Sequence, residues 1–170
     1  LVFGRQGSGY AFALIPKDAP GLEIVGYKTY DGFVSGDLKL NKCKAEAVFS
    51  SKNALEILDE TIQEAIVCIC SEAIGAMEKC YKLTIEYTQQ REQFGQSLSK
   101  FQALQHRMVD MFMETEFTKS FLLKVLATED ASEKTKLIYG LKNQVAKAGK
   151  KVGEEAVQLH GGMGVTQEIS

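Results

Sequence analysis

The sequence predicts an α+β fold in which a strand-rich N-terminal region precedes an antiparallel bundle of long helices. Three observations predict this fold. Both prolines and seven of the 15 glycines fall within residues 1–36, where they separate short apolar runs. From about residue 51 onwards, apolar residues recur with the period of an α-helix, and no proline follows. The helical segments are joined by short connections, which are typical of antiparallel neighbours in a bundle.

The N-terminal region is predicted to consist of short strands and turns over residues 1–48. Phe12–Ile15 and Leu22–Val25 are apolar runs, each followed by proline or glycine. Residues 37–40 alternate between polar and apolar side chains, as in a half-buried strand. Residues 4–9 contain three glycines, but their spacing differs from that of a dinucleotide-binding loop, and a strand-like run follows. We therefore interpret residues 4–9 as a β-turn.

Three long helices are predicted over residues 52–92, 100–128 and 132–159. The first is predicted to bury one apolar stripe, made of Leu55, Leu58, Ile62, Ile66, Ile69, Ala73, Ala76, Cys80, Leu83 and Tyr87. The second is predicted to bury Phe101, Leu104, Met108, Met111, Phe121 and Val125. The third is predicted to bury Ile138, Leu141, Val145, Ala148, Val152 and Leu159. Ser99–Gln102 is interpreted as a capping box for the second helix, and Asp130–Glu133 as the start signal of the third.

Composition excludes several classes of protein. The chain has 20 basic and 22 acidic residues, a net charge of −2, which argues against a nucleic-acid binder held by phosphate contacts. No apolar run approaches the ~18–20 residues of a membrane span, and no signal peptide is visible. Four cysteines without a C-x-x-C spacing predict reduced thiols in a cytosol-like compartment and no metal site; they are Cys43, Cys68, Cys70 and Cys80.

Two motifs have both a structural and a functional interpretation. Arg91–Gly95 closes the first predicted helix, where the arginine could favour a helix C-terminus and the glycine could cap it. The planar guanidinium could equally bind a pyrophosphate. Gln158–Gly164 ends the third helix at Gly161 and Gly162, but three glycines in four residues exceed what one cap requires. Glycines also let a backbone approach a ligand closely.

The two motifs flank a third, Phe101–Met111, and the three together resemble the acyl-CoA dehydrogenase family in order and helical placement. Residues 11–16 and 30–40 are similar to the end of that family's middle β domain. The resemblance implies that residues 1–48 are the C-terminal part of that β domain, which is barrel-like, and that residues 49–170 are a truncated C-terminal helical domain. Because the chain lacks an initial methionine and stops just after the glycine-rich motif, we expect a piece of a longer protein. Within the family it is most similar to bacterial members of the pimeloyl-CoA dehydrogenase small-subunit type.

The resemblance implies oxidation of an acyl-CoA to a trans-2-enoyl-CoA with FAD as cofactor. A carboxylate would remove the α proton while hydride passes from Cβ to flavin N5, and electrons would then pass to electron-transfer flavoprotein. Helical domains of the family contact the FAD of a neighbouring subunit, which implies a dimer or tetramer, homomeric or heteromeric. Residues carried over as flavin contacts are Arg91, Gln93, Phe94, Gln102, Gln158, Leu159, His160, Gly161 and Gly162.

Some expectations remain open at the level of sequence. Gln102 has a competing role in the proposed capping box. The catalytic base is not identified: many members of the family carry it on a loop that would lie beyond Ser170. Others carry it on the first long helix, where Glu64 is a candidate. The alternative interpretation of Glu64 is a solvated carboxylate on the helix surface. The expected compartment is the bacterial cytoplasm, or the mitochondrial matrix in a eukaryote. Alternative functions are an acyl-CoA oxidase, a non-dehydrogenase flavoprotein on this scaffold, or a cofactor-free helical interaction module.

Overall fold

The computed structural model describes residues 1–166 and separates into two compact units, which divide between Glu60 and Thr61. The predicted order of strands followed by three long helices is confirmed. The strands of the N-terminal region are β1 (Val2–Gln6), β2 (Gly9–Leu14), β3 (Leu22–Lys28), β4 (Val34–Leu40) and β5 (Ala47–Ser50). The helices are α1 (Ala54–Gln90), α2 (Gln102–Ala127) and α3 (Ala131–His160), and two short strands, β6 (Glu92–Gln93) and β7 (Gln96–Ser97), lie between α1 and α2.

Strands β1 to β5 form two antiparallel sheets. One has the order β1-β2-β5, and the other pairs β3 with β4. Gly7 and Ser8 join β1 to β2 in a tight turn with Gly7 at a φ of 57°, so the predicted β-turn is confirmed. The expectation of a half-buried strand over residues 37–40 is wrong, since every residue of β4 is exposed. In β3 only Leu22 is partly buried, so both faces of this two-stranded ribbon are largely exposed.

The buried face of α1 differs from the predicted stripe by about one residue. Ile66 is buried as predicted, but from there the buried residues follow the row Cys70, Ile74, Met77, Tyr81, Thr84 and Thr88. Leu55, Ile62 and Ile69 of the predicted stripe are 51%, 44% and 66% exposed. The predicted row and the observed row both have helical periodicity, and packing against α2 and α3 determines which of them is buried.

The predicted inner faces of α2 and α3 are confirmed in large part. Met108, Met111 and Val125 of α2 are buried, as are Ile138, Leu141, Ala148, Val152 and Leu159 of α3. These residues join the buried row of α1 in two adjoining apolar clusters. Thr115 and Thr118 of α2 are fully buried as well, and each hydroxyl donates to the carbonyl of the residue four positions earlier. Their polar atoms are thereby satisfied inside the core.

Helix ends only partly follow the predicted signals. The Asp130 side chain accepts a hydrogen bond from the Glu133 backbone at 2.7 Å, which confirms the start of α3. The capping box is wrong, because Phe101 occupies the N-cap of α2 and no side chain caps it. Residues Leu98–Lys100 instead form a 3₁₀ turn that leads into the helix. Among residues 1–166, none of the helices is apolar over a length that could cross a membrane.

Candidate functional site

A cavity of about 500 Å³ lies where the end of α1, the start of α2 and the end of α3 come together. It gathers every residue predicted to contact the flavin except Phe94 and Gln102. Its lining consists of Tyr87, Arg91, Gln93, Leu98, Leu104, Arg107, Gln158, Leu159, His160, Gly161, Gly162 and Met163. Residues far apart in sequence therefore meet at one end of the helical unit.

Arg91 and Gln93 are presented by a two-residue hairpin rather than by a helix cap. Strands β6 and β7 pair, and Phe94 and Gly95 form the turn with φ of 54° and 79°. Two positive φ values in succession are typical of a type I′ turn, in which glycine is common and an aromatic residue is strained. Gly95 is thus a turn residue, and the interpretation of Gly95 as a helix cap is wrong. The Leu98 N–H donates to the Arg91 carbonyl at 2.9 Å and closes the hairpin.

Phe94 and Gln102 lie outside the cavity lining. Phe94 occupies the hairpin tip, is 91% exposed, and has its ring centroid 6.2 Å from that of Phe101. Gln102 is the exposed first residue of α2. Because the capping box is absent, no helix-capping role competes for the Gln102 side chain.

His160 and Tyr87 form one wall of the cavity. Their ring centroids are 4.4 Å apart with a 30° angle between the planes. The His160 Nδ1 lies 2.8 Å from the Ala156 carbonyl, and since a carbonyl can only accept, Nδ1 carries the proton of this bond. The Tyr87 hydroxyl donates to the His160 carbonyl at 3.3 Å. These contacts tie the last turn of α3 to the last turn of α1.

The three glycines after α3 differ in whether the fold requires a glycine at their positions, and why. Gly161 has a φ of 62°, which ends the helix in a conformation that favours glycine. A Cβ on Gly164 would lie 2.4 Å from the Val157 carbonyl oxygen, so close packing against α3 requires that glycine. A Cβ on Gly162 would meet nothing within 4 Å, and its φ is not positive. The fold of the described chain therefore does not require glycine at position 162.

The charged side chains that line the cavity are all basic. Arg91 and Arg107 contribute guanidinium groups, His160 contributes an imidazole, and no carboxylate lines the cavity. The Arg91 side chain has no ion pair with residues 1–166, whereas the Arg107 Nε donates to the Glu155 carboxylate at 2.5 Å. Such a site attracts an anion that offers two neighbouring oxygens to a guanidinium, such as a phosphate.

Five lining residues were not predicted as site residues: Tyr87, Leu98, Leu104, Arg107 and Met163. Arg107 offered a signal, because a charged residue beside the apolar row of Leu104, Met108 and Met111 lies at the edge of the buried face. The others are ordinary apolar or aromatic residues that only the packing of three helix ends brings together.

Glu64 is exposed on α1 and does not line the cavity. A catalytic role for Glu64 stays untested. In the part of the chain that the structure describes, no group of three or more His, Cys, Asp or Glu side chains could hold a metal ion.

Comparison with known proteins gives one consistent family. The family model "Acyl-CoA dehydrogenase, C-terminal domain" matches residues 55–170. Acyl-CoA dehydrogenase IpdE2 of Mycolicibacterium smegmatis is 34% identical over 104 residues, covering 61% of this chain and 32% of that protein. The probable acyl-CoA dehydrogenase YngJ of Bacillus subtilis is 28% identical over 175 residues, covering 96% of this chain and 45% of that protein.

The solved structure of the Tcur3481-Tcur3483 steroid ACAD superposes with a TM-score of 0.80 at 29% identity, covering 96% of this chain and 44% of that one. The chain thus spans less than half the length of these relatives. The matched residues include all of α2 and α3, the hairpin and the glycine-rich segment that together line the cavity. On this match, the chain belongs to the acyl-CoA dehydrogenase family.

Proposed function

We propose that this chain is part of an FAD-dependent acyl-CoA dehydrogenase and that its cavity binds the phosphate-bearing part of FAD. The reaction would oxidise the Cα–Cβ bond of an acyl-CoA thioester to a trans-2-enoyl thioester. The observation that carries the proposal is the cavity itself: two guanidinium groups, no lining carboxylate, and an open backbone position at Gly162. Residues 1–48 would then be the end of the middle β domain, and residues 49–170 the helical domain.

The residues present fit a dinucleotide. A pyrophosphate carries two negative charges, and the planar fork of Arg91 matches its oxygens. The amide side chains of Gln93 and Gln158 offer donors and acceptors for a ribose or a base. Gly162 leaves room for a ligand to approach the main chain without meeting a side chain. A cavity of about 500 Å³ suits a nucleotide-sized ligand, so the remainder of FAD would rest on a neighbouring subunit, identical or different.

FAD would supply the hydride acceptor that no amino-acid side chain provides. The residues of this chain would bind and orient it: Arg91 would neutralise phosphate charge, and the α3 C-terminus, fixed by Tyr87 and His160, would hold the adenosine side. Orientation matters because hydride transfer requires reacting atoms in near contact. The carboxylate base for the α proton would come from outside the cavity. An electron-transfer flavoprotein would then accept the electrons.

The test is spectroscopic and uses the full-length protein that contains this chain. We expect purified protein to be yellow with flavin absorption, and we expect an acyl-CoA to abolish that absorption under anaerobic conditions. A colourless protein that binds no added FAD would contradict the proposal and favour a cofactor-free interaction module. Rapid oxygen consumption with acyl-CoA, without an electron-transfer partner, would identify an oxidase instead.

A further inference from the structure

We propose that Arg107 is a second phosphate-binding arginine of this cavity, held in orientation by Glu155. The inference rests on the proposed nucleotide site and adds to it a residue outside the motifs that predicted that site. Arg107 lies on α2, two turns of helix beyond the hairpin that presents Arg91, and both side chains line the same cavity.

The contact with Glu155 leaves most of the Arg107 guanidinium available. Only its Nε is bonded to the carboxylate, at 2.5 Å, and a guanidinium has four further N–H donors on its two terminal nitrogens. A bond through Nε also fixes the plane of the group. A fixed plane lowers the entropy lost when a phosphate binds.

Charge balance in the cavity also favours this role. A bound pyrophosphate brings two negative charges, and Arg91 supplies one positive charge. His160 already donates through Nδ1 to the Ala156 carbonyl, so in its neutral form the ring has no second N–H to offer. Arg107 is the other lining residue with a permanent positive charge; the Glu155 carboxylate at its Nε offsets part of that charge and leaves the terminal N–H groups as donors for the second phosphate.

The competing interpretation is an ion pair that merely joins α2 to α3. The Arg107 and Glu155 side chains are 38% and 26% exposed, and partly exposed pairs contribute little to stability. A second pair, Lys151 with Glu114 at 2.9 Å, joins the same two helices and does not line this cavity. It provides a matched control for any effect of losing an interhelical ion pair.

The experiment measures FAD binding to the apo form of the full-length protein at several salt concentrations. We expect Arg107→Gln to raise the dissociation constant about tenfold and to reduce its dependence on salt, because one phosphate contact is lost. Glu155→Gln keeps an acceptor of the same shape and removes a negative charge, so the dissociation constant should stay within about twofold of wild type or fall. Lys151→Gln should leave both the constant and its salt dependence unchanged. Arg107→Lys, which keeps the charge, should fall between wild type and Arg107→Gln, and it replaces that variant if the latter does not fold.

Two outcomes would overturn the inference. One is a dissociation constant for Arg107→Gln within about twofold of wild type. The other is an equal weakening by Arg107→Gln, Glu155→Gln and Lys151→Gln, which would indicate a purely structural tie. Arg91→Ala separates this failure from failure of the proposed function. If Arg91→Ala loses FAD and Arg107→Gln does not, only the role of Arg107 is wrong; if wild type binds no FAD, the nucleotide site is wrong.

Discussion

Gly162→Ala should separate an effect on ligand binding from an effect on stability better than any other substitution in the glycine-rich segment. A Cβ at this position meets nothing within 4 Å, and the backbone does not have a positive φ. The free energy of unfolding of the apo protein should therefore change by less than about 0.5 kcal/mol, or rise by about 0.4–1 kcal/mol because the unfolded chain loses freedom.

The neighbouring glycines supply the comparison. Gly161→Ala places a side chain on a φ of 62° with a ψ of −139° and should cost roughly 1–3 kcal/mol of stability. Gly164→Ala places its Cβ 2.4 Å from a backbone oxygen of Val157, so the chain must move, at about 1–3 kcal/mol. A variant such as Gly161→Val would mix the cost of the positive φ with any loss of ligand binding.

If the ligand approaches the main chain at Gly162, the added methyl group should displace it and break a hydrogen bond to a charged group. Such a loss is worth about 1.5–3 kcal/mol, or roughly tenfold to a hundredfold in the dissociation constant of FAD. Urea unfolding of the apo protein measures stability, and titration with FAD measures binding. Unchanged FAD binding would refute the close approach at Gly162. A loss of apo stability as large as that of Gly164→Ala would refute the open space.

Three further outcomes are expected. Arg91→Ala should weaken FAD binding by about 1.5–3 kcal/mol and thereby lower the flavin content of the purified protein, with the oligomeric state and the apo melting temperature unchanged. Equal flavin content in this variant and in wild type would count against the phosphate role of Arg91. Ile74→Ala, at a 4% exposed position, should cost about 2–5 kcal/mol in urea unfolding, whereas Ile69→Ala, at a 66% exposed position, should cost under about 1 kcal/mol; an equally large loss at Ile69 would mean that another surface covers it. The hydrogen bond from Lys82, with the nearby charge of Lys119, lowers the pKa of Glu78 below its ordinary value of 4.5. The ionised Glu78 therefore contributes stability in full above about pH 4.5, and that contribution is lost as the pH falls through the lowered pKa; Glu78→Gln should flatten the acid side of a stability profile, and an unaltered profile would contradict this.

The bundle could be predicted from sequence because three uninterrupted helical periods allow few other arrangements. The orientation of α1 could not, because two neighbouring rows of its surface are apolar. The row that is buried carries Thr84 and Thr88, which a pattern of apolar residues passes over, while the predicted row carries Leu83 and Ile69. Only the fit against α2 and α3 decides between the rows.

Site residues could be predicted where a local sequence rule applies to them, and not where the packing of distant segments brings them to the cavity. Arg91 and Gly161 stand out in sequence because helix ends and phosphate sites favour those residue types. Tyr87 and Leu104 are typical core residues, and they become cavity walls only because three helix ends converge. The hairpin of β6 and β7 was also missed, since Phe94 in the left-handed region defies the usual preference for asparagine or glycine at that turn position.

The absence of tryptophan from the 170-residue sequence makes the β6–β7 hairpin a convenient spectroscopic position. Phe94 is 91% exposed at its tip, so an indole introduced by Phe94→Trp would emit from water with no other indole in this chain. Because the tip is held by paired strands, the indole would sit on an ordered backbone rather than on a loose loop. Its emission would shift to shorter wavelength when an apolar surface displaced the water, and a nearby flavin would quench it. The turn at Phe94, which was not predicted from the sequence, thus offers a position at which fluorescence can follow the docking of a neighbouring surface.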